Sequence, residues 1–173
     1  MLPVSPRFFG YGSLVNRRTH AYPDARATSV ADWRRAWRHT ARRDVAYLTA
    51  TPDPGGRIDG LSAGVPGADW TALDLREAAY LRATLPSGEA IYHIPDGMHG
   101  APDAAHPILM SYLDVVVQGF LDEFGEAGVE RFFATTDGWD APLRDDRAAP
   151  TYPRAQTLGR EERAVVDRWL ARV

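Results

Sequence analysis

The first half of the chain reads as short strands divided by turns, and the second half carries apolar residues at helical spacing. Arg7 to Tyr11 is strand-like, and Thr28 to Thr40 holds a second strand. Asp44 to Thr51 runs into Pro52-Asp53-Pro54-Gly55-Gly56, a strong turn signal, after which Arg57 to Val65 resumes and Pro66-Gly67 closes it. Asp69 stands where an N-cap belongs, which predicts a helix over Trp70 to Arg82. Ala83–Leu85 and Ala90–Ile94 flank Pro-Ser-Gly-Glu as a hairpin. Pro107 stands where a first-turn proline belongs, and the spacing of Ile108, Leu109, Tyr112, Leu113, Val116, Phe120 and Phe124 predicts a helix that stops at Gly125. Val129, Phe132 and Phe133 continue in a shorter helix, and Glu161 to Ala171 form a terminal one. Residues 135–154 between them are irregular. Early strands and late helices argue for an α+β fold in a single domain over residues 1–173.

Composition removes several chemistries. The 173 residues contain no cysteine, so thiolate metal sites and cysteine nucleophiles are excluded. Every one of the 20 basic residues is arginine, which excludes a Schiff-base or phosphate-loop lysine. A net charge of −3 gives no basic bias, so no nucleic-acid partner is expected. "MLPVSPRFFGYG" lacks a basic start followed by an apolar run, and no apolar stretch reaches membrane-spanning length. The expectation is a cytoplasmic protein without a membrane partner.

Candidate chemistry begins at Phe8-Phe9-Gly10-Tyr11-Gly12-Ser13-Leu14-Val15. Glycine weakens a strand interior, so two glycines around Tyr11 point to a sharp turn or a close approach. A dinucleotide fingerprint would need glycine at Val15, and a nucleophile elbow would need glycine at Tyr11 and Val15, so neither fits. A tight turn between strands is one remaining reading. The other is a cradle of backbone N–H groups for a carboxylate or a developing oxyanion.

On a helical wheel, Trp70, Leu73, Glu77, Tyr80 and Leu81 share one face, with Arg76 and Leu75 turned elsewhere. A carboxylate amid that stripe is costly when ionised, which raises its pKa and suits it to acid–base work. An ion pair with an arginine such as Arg82 is the plainer explanation of Glu77. Asp74, nearer the flank, is its rival.

Together "FGYGSL" and "LDLREAAYLR" resemble the γ-glutamylcyclotransferase-like family, and "DWRRAWRH" and "GLSAGVPG" look like two of its further segments. The resemblance covers residues 7 to 95 and leaves a helical C-terminal part, residues 105–173, without a signature. It implies a small mixed β-barrel-like sheet with flanking helices. It also implies that Tyr11, Gly12, Ser13, Leu14 and Tyr80 bind substrate and that Glu77 is the catalytic base. The implied reaction cyclises a γ-glutamyl compound to 5-oxoproline with no metal or organic cofactor. Ala78 stands where many relatives have glycine, and the spacer to Tyr80 is shorter than theirs. A non-catalytic relative that binds a small carboxylate is the alternative.

Other features carry less. Trp33, Arg35, Trp37 and His39 share one strand face and read as packing rather than base stacking. His93, His99 and His106 lack the short spacing of zinc sites. Trp139, Tyr152 and Arg154 read as turn residues that can also line a pocket mouth.

Overall fold

A computed structural model describes residues 5–173 of the chain. Five strands come first: β1 (Arg7–Gly10), β2 (Arg26–Arg38), β3 (Tyr47–Gly64), β4 (Leu81–Thr84) and β5 (Ala90–His93), with helix α1 (Thr71–Arg76) between β3 and β4. There follow β6 (Ile108–Leu109), α2 (Met110–Ala134), β7 (Thr136–Asp137), β8 (Leu143–Arg144) and α3 (Arg160–Leu170). Six strands form one mixed sheet in the order β4-β5-β1-β3-β2-β7, and β6 pairs with β8 apart from it. The architecture is α+β. The barrel-like sheet implied by the resemblance is open, with β4 and β7 as its two edges.

Neighbouring side chains of β1 point to opposite faces, so Phe8 and Phe9 begin two cores. Phe9 packs with Trp37, Leu48, Ile58 and Ile91 of the sheet against Leu113, Val116 and Phe120 of α2. Phe8 packs with Leu14, Ala63, Val65, Leu73 and Tyr92 on the α1 side. The helix expected to stop at Gly125 does break there, at φ 71, before resuming through Val129 to Phe133. Pro107 lies ahead of the helix rather than in its first turn, because Ile108 and Leu109 pair with Leu143 and Arg144 instead.

Two predicted boundaries differ. The Pro52–Gly56 stretch is a bulge inside β3 rather than a turn between strands. Both halves of β3 pair with the same strand: Trp33 faces Pro52 and Ala31 faces Arg57. The extra residues bow out against Asp32, whose Oδ1 accepts the Gly55 N–H at 2.9 Å. The helix predicted over Trp70 to Arg82 ends at Arg76. Leu81 to Thr84 pair with β5, and that ladder outweighs local helix preference. Leu81 is consequently 53% exposed instead of sharing the apolar face.

Arg35, expected to be a packing residue, is a fully buried polar hub. Its Nε donates to the Tyr11 carbonyl at 2.8 Å, Nη1 donates to Thr135 Oγ1 at 2.8 Å, and Nη2 donates to the Asp59 carbonyl. The guanidinium lies over the rings of Phe120 and Phe132, 4.8 and 5.1 Å from their centroids. Burial lowers its pKa to about 9, so it stays charged at neutral pH. Arg35→Met strands the buried Tyr11 carbonyl and the part-buried Asp59 carbonyl, and the expected loss is about 3 kcal/mol of unfolding free energy. Urea denaturation measures it, and an unchanged midpoint would contradict this role.

Candidate active site

The loop after β1 is built for close packing. A Cβ on Gly10 would lie 2.5 Å from the Leu14 Cβ, so glycine is what lets the chain fold back over itself here. Residues Ser13–Val15 then form a single 3₁₀ turn, with the Val15 N–H donating to the Gly12 carbonyl at 3.1 Å. The buried Asn16 ties the turn to α2, its Nδ2 donating to the Val115 carbonyl and to Gln118 Oε1, both at 2.9 Å. Gly119 of α2 makes room for this contact, since a Cβ there would come within 2.7 Å of the Asn16 nitrogen. Among the described residues, no protein acceptor takes the N–H groups of Gly12, Ser13 or Leu14.

The site residues read from the sequence come together. Tyr11, Gly12, Ser13, Leu14, Glu77 and Tyr80 line one inner cavity. It joins a wider outer cleft, which shares Ser13, Glu77, Tyr80 and Tyr112 and adds Tyr152 and Arg154. The Tyr11 hydroxyl donates to the Tyr92 carbonyl at 2.5 Å, and the Tyr80 hydroxyl donates to the Leu48 carbonyl at 2.8 Å. Burial pushes both phenols well above their usual pKa and keeps them protonated. The Leu14 side chain packs into the Phe8 core, so its possible contribution to the cavity is its backbone.

Glu77 sits at the C-cap of α1 rather than within a longer helix, and its side chain is 14% exposed. Burial raises its pKa above the ordinary 4.5, against the opposing charges of Arg76 and Arg154. Its ion-pair partner is Arg76, with Nε 3.5 Å from Oε1, and not Arg82. Arg82 pairs instead with Asp74, whose Oδ1 also accepts the Tyr92 hydroxyl at 2.5 Å, on the outer side of α1. That geometry removes Asp74 from the cavity.

Arg76 corrects the helical wheel. It turns inward with a side chain only 6% exposed, while Leu75 does face solvent. Its guanidinium donates to the Thr19 carbonyl, to Thr19 Oγ1 and to Ser13 Oγ, the last at 3.3 Å. One charge therefore bridges the loop and Glu77. Tyr112 was equally hidden: it sits at helical spacing among core residues, yet its hydroxyl would lie 3.0 Å from a Cβ on Gly12. His93 packs edge-on to Trp33, His99 lies beside Asp96, and His106 stacks on His39.

No known family model matches this chain, and no curated protein matches it in sequence. Solved structures do match in shape. One described as a γ-glutamyl cyclotransferase is 14% identical, with 95% of this chain and 99% of that one covered and a TM-score of 0.55. The chain has the γ-glutamyl cyclotransferase fold. An uncharacterized human protein, also 14% identical, matches at a TM-score of 0.57 over 94% of this chain and 98% of its own. YkqA from Bacillus subtilis matches at 0.63 and 14% identity, over 82% of this chain and 56% of that one. In this cyclotransferase fold, the loop after β1 and the end of α1 meet at the cavity.

The segment 146–151 closes one side of the cleft through a single carboxylate. Asp146 accepts the Ser111 N–H and hydroxyl at 2.8 and 2.6 Å, and the Thr151 N–H and hydroxyl at 2.9 and 2.8 Å. Burial alone would raise its pKa, but these four bonds outweigh it and hold the value down to about 2. A depressed folded-state pKa means a contribution present above the ordinary 3.8 and lost as pH falls through that value toward 2. Asp146→Ala is expected to lower the melting temperature at pH 7 and to flatten its decline below pH about 4. A parallel shift at all pH values would contradict this.

Proposed function

We propose that the protein is an enzyme that cyclises a γ-glutamyl compound to 5-oxoproline and releases the attached amine or amino acid. The observation that carries this reading is the meeting, in one cavity, of a buried carboxylate of raised pKa and a loop with uncommitted N–H groups. Glu77 takes a proton from the substrate α-amine as the nitrogen attacks the γ-carbonyl carbon. The carbonyl π electrons move onto oxygen, and the backbone donors at Gly12, Ser13 and Leu14 stabilise that charge. Collapse of the tetrahedral species breaks the bond to the leaving nitrogen, which receives the proton held by Glu77. Nucleophile and electrophile share one molecule, so the protein's main contribution is to hold the folded substrate in a reactive geometry. Every proton moved comes from the substrate, and the step calls on no metal or organic cofactor. A non-catalytic carboxylate binder would have no use for a desolvated base at this point.

Purified protein without added metal is expected to release 5-oxoproline from at least one member of a panel of γ-glutamyl compounds. No release across the panel would turn the assignment toward the binding alternative. Activity abolished by a chelator and restored by zinc would contradict the cofactor-free step.

The acid limb of kcat/KM reports Glu77 and is expected above pH 4.5, because only the ionised form is a base. Arg76 opposes the rise, so Arg76→Met is expected to move that limb to higher pH. A limb that stays in place in the variant would show that another group controls it.

A further inference from the structure

Three polar side chains outside the cavity join the loop after β1 to the two C-terminal helices: Asn16, Gln118 of α2 and Glu162 of α3. Asn16 and Gln118 are fully buried. A buried amide is costly unless its polar atoms are paired, and here each of them is. Asn16 Nδ2 donates to the Val115 carbonyl and to Gln118 Oε1, and its Oδ1 accepts the Arg18 N–H at 2.9 Å. Gln118 Nε2 donates in turn to Glu162 Oε2 at 2.9 Å.

The direction of these bonds is set from both ends. Glu162 takes the Gly159 N–H on Oε1 at 2.9 Å and Gln118 on Oε2, so it accepts at both oxygens. Gln118 must then turn Nε2 toward α3 and Oε1 toward the loop, and Asn16 must present Nδ2. The Val115 carbonyl and the Arg18 N–H demand the same orientation of Asn16. One arrangement satisfies every partner.

Both halves of the site hang on Asn16. Its N–H donates to the Ser13 carbonyl at 3.1 Å and closes the turn that follows Gly12. Its carbonyl accepts the Thr19 N–H and hydroxyl at 3.0 and 2.8 Å, and Thr19 accepts two bonds from Arg76, the partner of Glu77. We propose that Gln118 and Glu162 are positioning residues, which act through Asn16 to hold the loop N–H groups and Glu77 in register for the cyclisation. This inference rests on the cyclotransferase reading above. It gives α3 a part in the reaction although none of its residues lines the cavity or the cleft.

Gln118→Met keeps the length of the side chain but leaves the Asn16 amide without that acceptor. Glu162→Gln sets a donor against a donor at the part-exposed end of the chain of bonds. The readouts are the NMR shifts of the Gly12, Ser13 and Leu14 backbone amides, and kcat against KM for 5-oxoproline release, well below each melting temperature. Gln118→Met is expected to move the loop shifts and to lower kcat about tenfold or more, because misplacing reacting groups by about 1 Å costs up to about a hundredfold. KM should change by about twofold at most, since the loop donors act chiefly on the transition state. Glu162→Gln should act in the same direction more weakly, and should add nothing to Gln118→Met, because both break one connection. Val166→Ala, in the core on α3, is the control: it should lower the melting temperature and leave the loop shifts and kcat unchanged. Where Gln118→Met fails to fold, Glu162→Gln alone decides by the same readouts. Unmoved loop shifts in the variants would overturn the inference, as would additive losses of kcat or an equal loss in Val166→Ala. If the wild-type protein still releases 5-oxoproline in that case, the cyclotransferase reading survives. A wild-type protein that releases none removes that reading and the positioning role together, even where the loop shifts respond.

Discussion

Glu77→Gln should lower the rate of 5-oxoproline release by about a hundredfold to ten-thousandfold, the usual cost of removing a positioned general base. The amide keeps the size of the side chain, so substrate binding should change far less than turnover. Stability should move the other way. A folded-state pKa raised above the unfolded value means that the folded protein prefers the protonated form, and ionisation at neutral pH works against folding. Glu77→Gln removes that penalty and should leave the melting temperature equal or higher at pH 7, with the gain vanishing at low pH. Near-normal turnover in Glu77→Gln, with loss in Asp74→Asn, would mean that the base is the other carboxylate. The geometry opposes that outcome, because Asp74 is engaged by Arg82 and Tyr92 outside the cavity.

Gly12→Val should be comparably damaging by a different route. The first added carbon would stand 3.0 Å from the Tyr112 hydroxyl and 3.3 Å from Leu48 Cδ2, and the branches beyond it would enter the inner cavity. Displacing the loop or filling the space in front of its N–H groups is expected to cost about a hundredfold in kcat/KM. Ser13→Ala is the matched control. If the backbone makes the substrate contact, loss of the hydroxyl removes its bond from Arg76 and its contact with the Tyr112 hydroxyl and should be mild. A tolerant Gly12 beside a critical Ser13 hydroxyl would replace the cradle with a side-chain role.

Local signals carried much of this fold. The Gly10-Tyr11-Gly12 pattern marked a close approach, and the approach exists at Leu14 and Tyr112. Asp69 marked the start of α1 to within one residue: the helix begins at Thr71 with Trp70 as its cap residue, and Asp69 Oδ1 accepts the Thr71 N–H at 3.0 Å. Gly125 marked a real break in α2. The errors came where distant partners decide the structure. Pro52–Gly56 has every local mark of a turn, but β2 pairs with the chain on both sides of it. The end of α1 is set by β5, which captures Leu81 and the residues after it. Site residues divide in the same way. Glu77 stood out as a charge on an apolar face, whereas Arg76 looked like solvent-facing alternation and Tyr112 like core. Their roles depend on Thr19 and Ser13 and on Gly12, which no helical wheel contains.

The most direct test is a crystal structure of Glu77→Gln with γ-glutamylglycine bound. The γ-carbonyl oxygen should lie about 3 Å from at least one backbone nitrogen among Gly12, Ser13 and Leu14. The α-amine should face residue 77 from the inner cavity, within reach of the γ-carbonyl carbon. A compound bound with its γ-carbonyl turned away from the loop, or seated outside this cleft, would contradict the assignment.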